Sequence, residues 1–196
     1  IIGVDLAKNA FHVHGASKDG RQLFRKKLTR RQFPEFMARQ QPCMVAMEAC
    51  GSSYYWTREL TKMGHDVRLI APIYVKPFLK RQKNDAADAE AIVEAAQRPS
   101  MRFVEPKTPD QQARAMLFRS REQLLRQRTE TINSLRSHLS EFGIIAAQGA
   151  VGVSQIRDTL DDSEAEIPEL VRELAVGLLR RIDQQTSELD ILRKHM

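Results

Sequence analysis

Four carboxylates stand where a buried core tolerates none without a reason. Asp5 interrupts the apolar run IIGVDLA (1–7), and Glu48 closes a second one within CMVAMEAC (43–50). Asp85 and Asp88 open the alanine-rich stretch DAADAEAIVEAAQ (85–97), where positions i and i+3 share one face of a helix. A carboxylate on a buried strand is costly unless it is paired or meets a cation. Oxygen-only clusters of this kind suit Mg²⁺ or Mn²⁺, and two such ions about 3.5–4 Å apart activate water and stabilise the leaving oxygen in phosphodiester cleavage. Plainer roles exist for three of the four. Asp85 can cap a helix, Asp88 can sit in the field of its dipole, and Glu48 can face solvent at a strand end. Asp5 has no such role, because a lone Asp inside an apolar strand caps nothing.

If the strands carrying Asp5 and Glu48 run side by side in parallel, the two acids emerge near one end, and a helix N-terminus could bring Asp85 and Asp88 to it. Lys76, Lys80, Arg81 and Lys83 form a basic strip just before Asp85 that suits a phosphate backbone, or a solvated connector. Tyr54 and Tyr55 could stack on bases, whereas Trp56 falls at core spacing. His12 and His14 share one side of a strand, but no Cys or His partner stands at a zinc-ligand spacing. There is neither a P-loop nor a GxSxG elbow.

Charge follows the same division. Residues 1–108 carry 19 Lys and Arg against 11 acids, residues 109–142 carry 6 against 4, and residues 143–196 carry 6 against 10. A basic front and an acidic tail point to a polyanionic partner for the front, or to a merely solubilising surface. The 196 residues, 42% hydrophobic and 29% charged, suit one or two globular domains. No apolar run approaches the roughly 18 residues of a membrane span, and no signal peptide opens the chain. Cys43 and Cys50, on one strand, would stand about 23 Å apart and could not bond to each other, which suggests a reducing cytoplasm.

The elements that must position the acids follow from periodicity. Strands are expected over 1–7, 10–16, 21–28, 43–50 and 66–72, the last stopped by proline, with a hairpin turn at SKDG (17–20). A short helix interrupted by Pro34, a helix over 52–64 closed by Gly64, a basic connector VKPFLKRQKN and the helix at 85–97 complete a mixed α/β domain with buried central strands. After EPKTP (105–109) the pattern becomes one helix of roughly 30 residues, about 45 Å long, with an apolar stripe from Met116 to Phe142. A Gly- and Ala-containing stretch (143–154) interrupts it. A second long helix starts near Pro168 with Val171, Leu174, Leu178, Ile182, Leu189 and Leu192 on one stripe. Such helices make an antiparallel hairpin or a coiled coil. The stripe still runs at Met196, which suggests a piece of a longer protein.

The blocks GVDLAKNAFHVHGA, MEACGSSYYWTRELTKMGHDVRLIAP, KNDAADAEAI and LLRQRTETINSLRSHLSEFGI, in that order, resemble the DEDD-type transposases of the insertion sequence 110 family. The resemblance covers nearly the whole chain to about residue 150. It implies a ribonuclease H-like domain of the Holliday-junction-resolvase kind over 1–104, followed by a long-helix coiled-coil and dimerisation region over 105–196. It also implies that Asp5, Glu48, Asp85 and Asp88 are the catalytic, metal-binding quartet, with Asn84 where the family reads Thr. Implied partners are DNA at the transposon ends and target, a structured guide RNA as in some members, and further copies of the chain through the long helices. Lys8, Tyr54, Tyr55, Lys76, Lys80, Arg81 and Lys83 are the expected nucleic-acid contacts. The expected setting is the cytoplasm of a bacterium or archaeon, at the nucleoid, with no membrane partner. No region resembles the family's C-terminal serine domain, so the chain is expected to be the metal-binding part and to do little alone. Two rival readings remain: a stand-alone nuclease for branched DNA, and a non-catalytic nucleic-acid-binding dimer module.

Overall fold

A computed structural model describes residues 1–79 and 85–196, with the side chains of Asp85 and Ala86 outside the description. The chain divides into two compact units, Ile1–Thr108 and Pro109–Met196.

The first unit is built on one six-stranded mixed sheet in the order β3-β2-β1-β4-β5-β6. β1 (Ile2–Leu6), β2 (Ala10–Ala16) and β3 (Gln22–Thr29) form an antiparallel meander. β4 (Met44–Glu48) lies parallel to β1, β5 (Asp66–Ile70) lies parallel to β4, and the two-residue β6 (Phe103–Val104) closes the far edge antiparallel to β5. The central strands are apolar on both faces because both faces are covered.

Side-chain alternation sorts the core into two layers. On one face Ile2, Val4, Val45 and Met47 pack with Phe11, Val13, Leu69 and the residues of α1 (Gln32–Ala38) and α2 (Ser53–Lys62). Phe11, Phe33 and Trp56 meet edge to face there, with ring centroids 4.9–5.2 Å apart. On the opposite face Ala46 and Ile70 pack with Val75 and with Ala91, Ile92 and Ala95 of α4 (Asp85–Ala96).

Pro34 does not interrupt α1, because it stands in the first helical turn, where a backbone N–H has no intrahelical partner to lose. The connector expected from VKPFLKRQKN is helical over its described part: α3 (Pro72–Val75) runs into a 3₁₀ turn at Lys76–Phe78, each with proline near its start. Gly64, at φ +91°, supplies the left-handed residue that ends α2.

The second unit is helical. α5 (Pro109–Ser140) and α7 (Glu169–Lys194) pack side by side, with Arg128 donating to the Thr186 hydroxyl at 3.3 Å. α6 (Gly149–Asp161) occupies part of the stretch expected only as an interruption. Its Val153, Ile156 and Leu160 join Leu135 and Leu139 of α5 and Ala175, Leu179 and Ile182 of α7 in one core. The stripes are narrower than their sequence suggests, since Met116 (67% exposed), Leu174 (61%) and Phe142 (45%) stay in solvent.

Candidate functional site at the carboxyl ends of β1 and β4

The parallel pairing of β1 with β4 sets Ile2 beside Val45, Gly3 beside Ala46 and Val4 beside Met47. One step further along this register, Asp5 and Glu48 stand at neighbouring strand ends. Each shares a face with the residue two positions before it, Gly3 and Ala46, and that is the face α4 covers.

Helix α4 comes unusually close. A Cβ on Gly3 would lie 2.4 Å from the Ala89 carbonyl oxygen and 2.5 Å from Cγ2 of Val93. Glycine at position 3 is therefore what lets α4 lie directly on β1, with Asp88 one residue before the point of contact. The electrostatics report the same convergence. Burial pushes the Glu48 carboxyl above its usual range, the charges of Asp5 and Asp88 push it further, and Lys76 offsets part of this. Asp5, Glu48, Asp88 and Lys76 thus form one electrostatic group, although the chain draws them from two strands, a helix and a 3₁₀ turn.

Asp5, Glu48 and Asp88 are each half-buried, a compromise between the cost of desolvating a charge and access for a ligand. Among the described residues no three His, Cys, Asp or Glu side chains converge closely enough to hold a metal ion. The donor set nevertheless fits a hard divalent cation in kind. Its oxygen-only character and the mutual repulsion that raises Glu48 are what such a cation relieves. Asp85 begins α4 at the same helix end, its side chain outside the description.

The expected nucleic-acid contacts are distributed unevenly. Lys8 is exposed in the turn joining β1 to β2, directly after the strand that carries Asp5. Lys76 lies within electrostatic reach of Glu48. Tyr55 is 49% exposed, whereas Tyr54 is half-buried against the α1/α2 core with the Lys107 ammonium 5.5 Å from its ring. Trp56 is core, at 5% exposure. Lys80, Arg81 and Lys83 lie outside the described residues.

Sequence reasoning set His12 aside once zinc was dismissed. The hairpin register puts it directly opposite Asp5, on the face that carries the acids, and nearly buried at 9% exposure. The signal was the three-residue connection between two alternating strands, which fixes the pairing.

A transposase family model, that of the DEDD-type transposases of the insertion sequence 110 kind, matches residues 2–144. The chain belongs to this family. It is 44% identical over 184 residues to the transposase for insertion sequence element IS1328 of Yersinia enterocolitica, covering 94% of this chain and 53% of that protein. It is 38% identical over 182 residues to the transposase for insertion sequence element IS1111A of Coxiella burnetii, covering 93% and 47%. The protein y4pF/y4sB of Sinorhizobium fredii is 46% identical over 173 residues, covering 88% and 44%. The chain spans about half the length of the curated relatives it matches. No solved structure matches it.

Proposed function

We propose that this chain is the strand-cutting part of an insertion-sequence transposase, acting on DNA in the cytoplasm of its host. In this reading Asp5, Glu48, Asp85 and Asp88 hold Mg²⁺ or Mn²⁺ against a scissile phosphate. The observation that carries it is the coupling of Glu48 to Asp5 and Asp88: two acids from distant segments lie close enough to one strand end to raise the cost of ionising Glu48. Selection for stability alone removes such crowding, whereas a cation-binding site requires it.

A bound divalent ion would supply Lewis acidity at the phosphate and an activated water. The chain's own residues do the rest. β1 and β4 fix Asp5 and Glu48 as neighbours, and the close seat of α4 on Gly3 fixes Asp88 relative to them. Lys76 offsets the excess negative charge and can turn toward a phosphate when a cation takes over that role. Lys8 and Tyr55 lie exposed beyond the strand ends, where a nucleic-acid backbone and its bases would pass.

The strand order, with only the second of the first five strands reversed, supports a ribonuclease H-like reading of the first unit. The paired α5 and α7, with Met116, Phe118 and Leu174 in solvent, support a coiled-coil arm that meets a second copy of the chain. A structured guide RNA is the further partner of the basic first unit. The test is thermal unfolding of wild type, Asp5→Asn and Asp88→Asn across a Mg²⁺ and Mn²⁺ titration, beside recombination assays of the full-length protein carrying the same substitutions. Cation-dependent stabilisation in wild type only, with loss of recombination in both variants, is expected. Full recombination by both variants would remove the metal-site reading.

A further inference from the structure

One edge of the sheet is β3, and the charge of its strand has one sign. From Lys18 to Arg31 the chain carries Lys18, Arg21, Arg25, Lys26, Lys27, Arg30 and Arg31 against the single acid Asp19. All seven cations are exposed. Three have local work: Arg25 pairs with Glu90 of α4 at 2.5 Å, Lys26 sits 5.7 Å over the Phe36 ring, and Arg30 lies 5.4 Å from the Phe11 ring and 5.8 Å from that of Trp56. Arg21, Lys27 and Arg31 take part in no ion pair among the described residues.

The sheet register turns this edge into a path. Asp5 pairs with His12, and His12 pairs with Lys27, so one cross-strand row runs Asp5, His12, Lys27. Directly opposed residues share a face, so Lys27 lies on the acid-bearing side, two strand spacings or about 10 Å from Asp5. At ~3.4 Å of rise per nucleotide along one strand, that is about three nucleotides. Charged side chains, Lys above all, also blunt a sheet edge against self-pairing. Seven of one sign along this edge, with Lys27 in the acid row, make a strong local field of positive potential.

We infer that the β3 edge is a phosphate-backbone rail. Arg21, Lys27 and Arg31 hold the DNA strand, and Lys27 sets its register about three nucleotides from the carboxylates. The inference rests on the strand-cutting reading above and adds to it a surface and a spacing.

The experiment measures binding of the chain to a labelled DNA duplex and, separately, to a single-stranded RNA of equal length, each across a salt titration. The test variant is Arg21→Ala, Lys27→Ala, Arg31→Ala combined. The control removes the same charge from exposed positions of the helical unit, as Arg180→Ala, Arg181→Ala, Lys194→Ala. Losing three phosphate contacts lowers the slope of log affinity against log salt by about 2.7 on duplex DNA and about 2.1 on a single strand. At 0.1 M salt that is about 500-fold weaker duplex binding, with the control close to wild type. A fall near 2.7 on the duplex is the expected result, whereas a fall on the RNA alone, with duplex binding intact, would overturn a DNA rail. Equal losses in both triple variants, or no loss in either, would overturn the rail. If the test variant does not fold, Lys27→Ala alone, expected to bind duplex about eightfold more weakly, takes its place and binding at wild-type strength refutes the inference. Failure of wild type to bind either nucleic acid would overturn the strand-cutting reading as well. Binding that is intact in wild type and insensitive to the edge removes the rail only.

Discussion

Replacing Gly3 by alanine tests the assembly of the site through a single methyl group. Gly3 has an ordinary strand backbone, so the substitution adds no conformational strain, only volume. The new Cβ would meet the Ala89 carbonyl oxygen at 2.4 Å, Cγ2 of Val93 at 2.5 Å and the Val93 nitrogen at 3.2 Å. The Val93 side chain can rotate away, but the Ala89 oxygen belongs to helix backbone. Relief to ordinary contact, about 3.4 Å, requires α4 to withdraw by roughly 1 Å. Overpacking of this size costs about 2 kcal/mol, and in a unit of this length it lowers the melting temperature by roughly 8 °C. The functional effect should exceed the stability effect, because Asp88 moves with the helix while Asp5 and Glu48 stay with the sheet. A misplacement near 1 Å can cost about 100-fold in rate. Differential scanning fluorimetry with and without Mg²⁺ separates the two effects: the variant should melt lower and also lose the cation-induced shift. Gly51→Ala, which meets no atom within 4 Å, is the matched control. A Gly3→Ala protein that melts as wild type and keeps the full cation response would refute the argument that this contact seats α4.

Further outcomes follow from other parts of the chain. Glu48 binds its proton more readily folded than unfolded, so ionising it opposes folding. That cost is absent below the usual carboxylate range, grows as pH rises through it to the raised value, and is constant above; Glu48→Gln should therefore melt higher than wild type at neutral pH, with the difference vanishing in acid. Gly177 lies exposed within α7 and nothing stands within 4 Å of its would-be Cβ, so Gly177→Ala should stabilise the helical unit by about 1 kcal/mol in urea unfolding. His65 is buried, accepts the Cys43 backbone N–H at Nδ1 (3.3 Å) and donates from Nε2 to the Met37 carbonyl (3.2 Å). His65→Leu strands both groups and should cost about 3 kcal/mol by chemical denaturation, far from the acids.

The sheet was readable where strands were long enough to alternate. Phe11 and Val13 against His12 and His14 on β2 marked the two faces correctly, because each face meets a different layer. β6 was invisible: two residues cannot display a period, and Phe103–Val104 are a strand only because β5 offers a free edge. α6 was hidden by Gly149 and Gly152, although Val153, Ile156 and Leu160 already carried helical spacing. Pro72 read only as the end of a strand and Pro77 as part of a basic connector, yet proline near a first helical position begins a helix as readily as it ends one. Asp5 and Glu48 were legible as a pair once parallel strands were assumed. The proximity of Lys76 to Glu48 was not, since it depends on how α3 and the turn after it fold back over the sheet, a tertiary outcome without local pattern.

The seat of α4 on Gly3 also governs timing. Asp5 and Asp88 stand 83 positions apart, and their approach requires the non-local β1–β4 pairing with a complete helix laid across it. A nascent chain that has exposed β1, β2 and β3 can close the whole antiparallel meander while its acids remain scattered. Only when the segment up to about residue 96 has left the ribosome can the group come together, and any local unfolding of α4 disperses it again. Assembly of the acid group is thus a late and reversible event, coupled to the integrity of the whole first unit.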